Sequence, residues 1–193
     1  MRQLSVESLL NILEYEKVRK EYRTDIINYK KDRRVKIGPN ITIVFENDRT
    51  LSFQIQEIMR AERIVQNEKI QEEVDIYNSI MPPKDGLSAT LFIEVTEEQK
   101  IKSTLHQFIG LTTGKTISIK IDGQTIFAVF EEGREEEDKI SSVHYIQFFL
   151  NKKQIERMGE PTSEVEIGID YNDYTHHIKL PNSTKHSLYL DMQ

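Results

Sequence analysis

The strongest constraint on the fold comes from the dipeptide Asp122-Gly123. It separates two runs, 116–121 and 124–130, that are rich in β-branched and aromatic residues. An Asp-Gly pair suits the positive φ values that both central positions of a type I′ turn require, and this turn matches the twist of two antiparallel strands. The sequence therefore predicts a β-hairpin here and an antiparallel sheet around it.

Helical and strand periodicities alternate along the rest of the chain. Helices are predicted at 68–80, 96–110 and 152–159, and strands at 87–95, 140–150, 164–171 and 176–180. Helices mixed with antiparallel hairpins are typical of the α+β class. We predict one α+β domain over residues 1–193, with N-terminal helices and a β-hairpin, two or three further helices, and mainly antiparallel sheet in the C-terminal half.

Two helices are predicted ahead of Gly38-Pro39-Asn40. Ser5 opens the first, and the two apolar stripes are Leu9, Leu10, Leu13 and Val18, then Tyr22, Ile26 and Tyr29. Alternating residues then predict a β-hairpin at 41–56 that turns at Asn47-Asp48. From Glu57 the period suits a helix, which would place Glu62 in an apolar stripe. A carboxylate there is either ion-paired for structure or functional.

Composition excludes several kinds of chemistry. The chain has no cysteine, so disulfides, thiolate metal sites and thiol nucleophiles are ruled out. Its net charge of −6 argues against general nucleic-acid binding. No apolar run approaches the ~18 residues of a membrane span, and the first residues lack the core of a signal peptide. We predict a cytoplasmic protein without membrane contact.

The short motifs carry little evidence for catalysis. Residues 110–116, "GLTTGKT", lack the spacing and the strand-to-helix order of a phosphate-binding loop, so we predict a plain loop and no cofactor. Asp170, Asp173 and His176 are weak candidates for a metal site. His144 shares a strand face with apolar residues and is predicted to be a half-buried structural histidine. No serine or threonine stands in the context of a nucleophile, so the sequence leaves open whether the protein is an enzyme.

Two charged segments have ordinary interpretations. The run 30–34, "KKDRR", is typical of a charged helix end, and contact with an acidic partner or a phosphate is the alternative. The run 130–138, "FEEGREEED", is typical of a solvated loop, and contact with a cation or partner is the alternative.

Several longer segments together resemble a known family. The opening "MRQLSVESLL", the segment "FQIQEIMRAERI" followed by "YNSIMP", and "SSVHYIQFFL" are similar to an uncharacterised bacterial domain-of-unknown-function family. The resemblance covers essentially the whole chain. Genes of that family often stand beside genes for rubrerythrin-like proteins and iron–sulfur oxidoreductases, which implies a redox setting and a protein partner of one of those kinds.

The same resemblance draws attention to a set of polar residues. Those that match the family pattern are Gln54, Gln56, Glu57, Arg60, Glu62, Tyr77, Asn78, Glu94, Glu131 and Arg134. Such residues either form a buried network that fixes the packing, which we favour, or line a site for a ligand.

Three functional hypotheses follow. The leading one is a cytoplasmic, non-catalytic accessory protein that binds a partner in a redox or oxidative-stress system. The alternative is a small-ligand-binding protein or enzyme that uses a polar pocket of Gln, Glu and Arg side chains. Contact between nucleic acid and residues 30–34 ranks last.

Overall fold

The structure is a computed structural model that describes residues 3–131 and 139–193. The helices in the described residues are α1 Ile12–Lys30, α2 Asp48–Glu62, α3 Asn67–Ser79, α4 Ile101–Gln107, α5 Lys152–Gly159 and α6 Asn182–Asp191. The strands are β1 Arg34–Ile37, β2 Ile41–Glu46, β3 Gly86–Ile93, β4 Ile117–Ile121, β5 Gln124–Phe127, β6 Val129–Phe130, β7 Val143–Phe149, β8 Val165–Tyr171 and β9 Tyr174–Lys179. Short 3₁₀ turns lie at Val6–Ser8 and Glu98–Lys100.

The strands form two antiparallel sheets, which confirms the predicted α+β class. The five-stranded sheet has the order β1-β2-β3-β7-β6, and the four-stranded sheet has the order β5-β4-β8-β9. The hairpin at Asp122-Gly123 is confirmed, because Ile121 pairs with Gln124 and the two turn residues have φ values of 46° and 82°.

The main hydrophobic core lies between the two sheets. Alternate residues from both sheets meet there, among them Ile43, Phe45, Leu91, Ile119 and Ile167, all fully buried. Side chains from α5 and α6 close one side of this core. We call the side of the five-stranded sheet that faces this core its inner face.

A second apolar cluster joins the helices to one another. It combines residues of α2 and α3 with Leu4 from the N-terminal segment. Tyr145 of β7 packs against the cluster, and the Ser88 hydroxyl of β3 donates to the Ile80 carbonyl at the end of α3 at 2.6 Å. The helices therefore cover the other side of the five-stranded sheet, which we call its helix-covered face.

The predicted hairpin at 41–56 is wrong in its second half. Asn47 begins α2 instead, since its side chain accepts a hydrogen bond from the Thr50 N–H while the Thr50 hydroxyl accepts one from the Asn47 N–H. Leu51 and Ile55 lie one helical turn apart and are both fully buried. The partner of β2 in its hairpin is β1, across a turn with Gly38 at φ 72°.

The first of the two predicted apolar stripes, Leu9, Leu10, Leu13 and Val18, is also wrong, whereas Ile26 of the second stripe is buried. One helix, α1, replaces the two expected, and Leu13 is 78% exposed on it. Tyr15 and Ile26 are the buried residues of α1, because the side of α1 that meets α2 carries them. Sequence patterns also missed α6, which has no side-chain cap.

The remaining predicted elements are present within a few residues of their expected bounds. Residues 96–110 form only the short α4 after a 3₁₀ turn, and 110–116 form a loop as expected. No helix in the described ranges combines the length and the apolar character needed to cross a membrane.

Candidate functional site

Two amide side chains hold the N-terminal segment against the helices. Gln56 of α2 accepts from the Leu10 N–H at 2.8 Å and donates to the Leu10 carbonyl at 2.9 Å. Asn78 of α3 does the same with the N–H and carbonyl of Leu4, both at 2.9 Å. Each amide thus satisfies both backbone groups of one residue, so these two candidates act in packing.

Glu57 joins α2 to α1. Its carboxylate accepts two hydrogen bonds from the Arg19 guanidinium at 2.8 Å and one from the Tyr15 hydroxyl at 2.6 Å. The hydrogen bonds from Arg19 hold the pKa of Glu57 below its usual value, and the Tyr15 hydroxyl adds to the effect. Burial raises the pKa of Tyr15, and the hydrogen bond to Glu57 raises it further. This group is a paired network and leaves no room for a ligand between its members.

The other candidates on α2 do not converge on a pocket. Arg60 pairs with Glu16 of α1 at 2.5 Å on the surface, and the Gln54 side chain reaches the Thr50 carbonyl at 3.5 Å. Glu62 was expected in an apolar stripe, and this expectation is wrong because Glu62 is exposed at the end of the helix.

Glu94 lies away from α2, near the β1–β2 hairpin. Its carboxylate pairs with Arg34 and accepts from the Thr42 hydroxyl at 2.9 Å. Arg134 lies outside the described residues. Glu131 lines a cleft, and Tyr77 lies close to Tyr145, another residue of the same cleft.

Arg33 corrects the surface interpretation of residues 30–34. It is fully buried, pairs with Asp191 of α6, and donates to the Phe45 carbonyl at 2.9 Å. Asn47 also donates to Asp191, at 2.8 Å. Burial raises the pKa of Asp191, and the charge of Arg33 opposes that change. Arg33 is therefore an internal link between β2 and α6.

The three metal candidates do not come together. Asp170 contacts the Nε2 atom of His177 at 3.0 Å. His176, the residue before it, lies on the opposite face of β9 and packs on the Tyr174 ring. Asp173 lies in the turn between β8 and β9. Within the described residues no group of three or more metal-binding side chains forms. His144 was predicted to be half-buried, and it is instead buried, with Nε2 2.8 Å from the Ser141 carbonyl.

The helix-covered face of the five-stranded sheet is polar where the inner face is apolar. The residues that share it on β2, β3 and β7 include Thr42, Glu46, Ser88, Thr90, Tyr145 and Gln147. Gln147 donates to the Met81 carbonyl just beyond α3 at 3.2 Å. A polar layer therefore lies between the sheet and the helices.

One end of this polar layer opens into a cleft of about 190 Å³. The cleft is lined by Ser79, Ile80, Ser88, Val129, Phe130, Glu131, Tyr145 and Gln147. The end of α3 forms one wall, and the β6 edge of the sheet forms the other. The cleft is thus a small, polar-floored cavity with an apolar side.

Glu46 of β2 is the cross-strand neighbour of a residue that lines the cleft, on the same face of the sheet. It is 2% exposed, and its register partner across the strands is Ser88, which lines the cleft. Its Oε1 atom accepts from the Thr90 hydroxyl at 2.7 Å, but its Oε2 atom is buried without a hydrogen-bond partner among the described residues. A buried carboxylate oxygen in that state is costly and is a typical sign of a site. Sequence patterns carried no signal for Glu46, because it is one polar residue at the end of a predicted strand.

The pKa of Tyr77 is shifted by its surroundings in the same region. It is buried on α3, and burial is the main reason that its pKa is raised. Interactions with Tyr145, Glu73 and Glu46 raise that pKa further. Acidic side chains therefore lie near Tyr77.

Fold and site together define an α+β protein whose helices cover a polar sheet face with a small cleft at one end. The model of one family, described as a protein of unknown function (DUF3501), matches residues 3–192, and the chain belongs to this family. A novel protein of unknown function from Burkholderia pseudomallei K96243 has a crystal structure of similar fold. It is 28% identical, with a TM-score of 0.92 and complete coverage of both chains. No curated protein matches the chain.

Proposed function

We propose that this protein binds a small molecule in the cleft between the end of α3 and the β6 edge. The observation that carries the proposal is the buried Glu46 carboxylate beside Ser88 of the cleft, with one oxygen atom unpartnered among the described residues. Concave sites with an apolar wall and a few directed polar groups are typical of ligand pockets. This is the alternative that the sequence left open, located at Glu131 and Tyr145 instead of on α2.

The rest of the protein supports a binding site built on rigid elements. The floor belongs to β3 and β7, two neighbouring internal strands of the five-stranded sheet. Their inner face packs in the main core through Leu87, Ala89 and Ile146. Side chains anchored in this way hold their positions before a ligand arrives, which reduces the entropic cost of binding.

Ligand-detected NMR with a library of small polar compounds tests the proposal. Ser79→Phe places a ring at the mouth of the cleft, and we expect it to abolish the binding that the unmodified protein shows. Ser103→Phe is the matched control, because both serines are exposed and both donate to the carbonyl three residues earlier. The proposal is wrong if no compound binds, or if binding survives in the Ser79→Phe protein.

An accessory role with a protein partner is the second candidate. Val129 and Phe149 lie beside the cleft on neighbouring strands, and they are 53% and 54% exposed. Exposed apolar side chains grouped at a sheet edge favour contact with another protein. The family resemblance suggests a rubrerythrin-like or iron–sulfur oxidoreductase partner in oxidative stress, in the cytoplasm.

Affinity capture from the source cells tests this second candidate. We expect one of those two redox proteins to copurify with the unmodified chain and to be lost with the Val129→Ser, Phe149→Ser double variant. Leu13→Ser is the control, since Leu13 is 78% exposed on the distant α1. Capture that is unchanged in the double variant, or capture without either redox protein, contradicts the accessory role at this surface.

A further inference from the structure

The N-terminal segment, residues 3–10, lies against α2 and α3 as a peptide lies in a groove. It forms a 3₁₀ turn at Val6–Ser8 and pairs with no strand of either sheet among the described residues. Leu4 enters the apolar cluster of these two helices and is 8% exposed, while Val6 and Leu9 pack at its margin. The other residues of the segment are exposed. The segment is thus attached by a few contacts, so it can open locally without unfolding the rest of the chain.

Two side-chain amides hold the segment by its backbone. Asn78 of α3 bonds to the N–H and carbonyl of Leu4, both at 2.9 Å. Gln56 of α2 bonds to the same two groups of Leu10, at 2.8 and 2.9 Å. Hydrogen bonds to the backbone hold any extended peptide, and a side-chain pocket such as that of Leu4 adds the sequence preference. Gln56 is 2% exposed, so departure of the segment without a replacement would leave a buried amide lacking its partners. The groove therefore needs a peptide in place.

A short stretch of extended backbone joins the segment to α1. The φ and ψ angles are −102° and 147° at Leu9, and −65° and 161° at Asn11. These angles lie in the broad allowed β region, so a change of torsion here moves the segment as a unit. Two leucines beside this join are exposed, Leu10 by 38% and Leu13 by 78%. Exposed apolar side chains that lie together mark surface for contact with another protein chain. The join therefore combines freedom to reorient with apolar surface that a second chain can cover.

We propose that the groove between α2 and α3 takes the N-terminal segment of a second copy of this chain, so that two copies exchange their segments. The identical sequence supplies every contact that the segment makes within one chain, including the four hydrogen bonds to Asn78 and Gln56. Exchange of this kind closes by two-fold symmetry into a dimer. The two joins then approach each other, which covers Leu10 and Leu13. The inference goes beyond the proposed function, because it concerns the α2–α3 groove and not the cleft.

Two variants of the full chain that each lose one half of the contact test the exchange. Leu4→Asp places a carboxylate where the apolar cluster takes a leucine, so this segment stays out of the groove. Gln56→Leu with Asn78→Leu, the groove variant, removes the four hydrogen bonds and leaves its own segment unchanged. In an equal mixture, the intact segment of the groove variant meets the empty groove of the Leu4→Asp protein. We expect sedimentation equilibrium to show each variant alone as a monomer and the mixture as a dimer, which associates at least tenfold more tightly than either variant with itself.

Ser5→Asp is the matched control, because it adds the same carboxylate one position further along the segment, at an exposed residue. Its own segment stays docked, so its mixture with the groove variant should remain monomeric. A dimer of equal strength in that mixture overturns the proposal, because it forms without an open groove. Monomers in the mixture of Leu4→Asp with the groove variant also overturn it when circular dichroism shows that both proteins are folded.

The unmodified protein decides if either variant does not fold. Isotope-labelled and unlabelled copies would be incubated together at high concentration, and an isotope-filtered NMR experiment would detect contacts between copies. We expect cross-peaks between the methyl groups of Leu4 in one copy and those of Val74, a member of the same apolar cluster, in the other. Absence of these cross-peaks overturns the exchange and leaves each segment bound to its own chain.

Discussion

The two faces of the five-stranded sheet meet their neighbours in different ways. The inner face presents Ile43, Phe45 and Leu91 to the other sheet, and all three are fully buried in apolar surroundings. Glu46 and Thr90 on the helix-covered face are also buried, yet their side chains are polar. Burial by itself therefore does not distinguish a core from a site; the chemistry of the buried groups does.

A substitution on the inner face should have the largest effect on the free energy of unfolding. Phe45→Ala removes a fully buried ring and should lower the free energy of unfolding by about 3–5 kcal/mol. Phe149→Ala is the matched control, since this ring is 54% exposed, and its effect should stay within about 0.5 kcal/mol. Urea unfolding followed by circular dichroism measures both. Equal losses would contradict the contrast between a packed core face and an exposed edge.

The helix-covered face should respond to the loss of a single hydrogen bond. Thr90→Val keeps the shape of the side chain but leaves both oxygens of Glu46 without a donor, so we expect a loss of about 1–3 kcal/mol. Thr125→Val, on an exposed strand position, should change little. The cost should shrink in a Glu46→Gln background, because the two residues are coupled. An unchanged cost there would mean that Glu46 is not the reason for the effect.

Removal of the Gln56 amide, which holds the N-terminal segment, should have a smaller and more local effect on stability. Gln56→Met leaves the Leu10 backbone groups unpaired, and because Leu10 is 38% exposed water can replace part of the loss. We expect about 1 kcal/mol and faster hydrogen exchange at the Leu10 amide. Gln54→Met is the control on the same helix, since its one hydrogen bond is long, at 3.5 Å. Equal exchange rates in the two variants would remove the role given to Gln56.

The stabilisation from Glu57 should be the smallest of these effects, and it should depend on pH. Glu57 has a folded-state pKa below its unfolded value of 4.5, chiefly because Arg19 donates to it. The folded protein therefore binds this proton less readily, and the stabilisation from Glu57 is present above pH 4.5 and is lost as pH falls through the lowered folded pKa. Unfolding curves of the unmodified protein and Glu57→Gln should differ at pH 7 and converge in acid. A difference that is constant with pH would rule out the charge as its cause.

Local patterns predicted those parts of the fold that depend on neighbours in sequence. The Asp122-Gly123 hairpin needed only its turn chemistry. In α2, Leu51, Phe53 and Ile55 alternate as a strand would, while Leu51 and Ile55 are also one helical turn apart, so periodicity alone was ambiguous. The cap formed by Asn47 and Thr50 was the signal that favoured the helix.

The candidate site was less predictable than the fold. The family pattern did include Glu131 and Tyr77. Four of the ten polar residues it highlighted, Gln56, Glu57, Arg60 and Asn78, instead join α1, α2, α3 and the N-terminal segment to one another. Glu46 and Arg33 were missed because their roles depend on partners brought together by the completed fold. Contacts of this kind have no regular spacing along the chain, so a single sequence contains no pattern that predicts them.

The pairing of Arg33 with Asp191 has a consequence for synthesis on the ribosome. The two residues are 158 positions apart, and at about 5–20 residues per second the ribosome takes on the order of ten seconds to make that interval. Until α6 emerges, the nascent chain carries an arginine beside β2 without its carboxylate. The buried ion pair of Arg33 therefore forms only after nearly the whole chain has been synthesised.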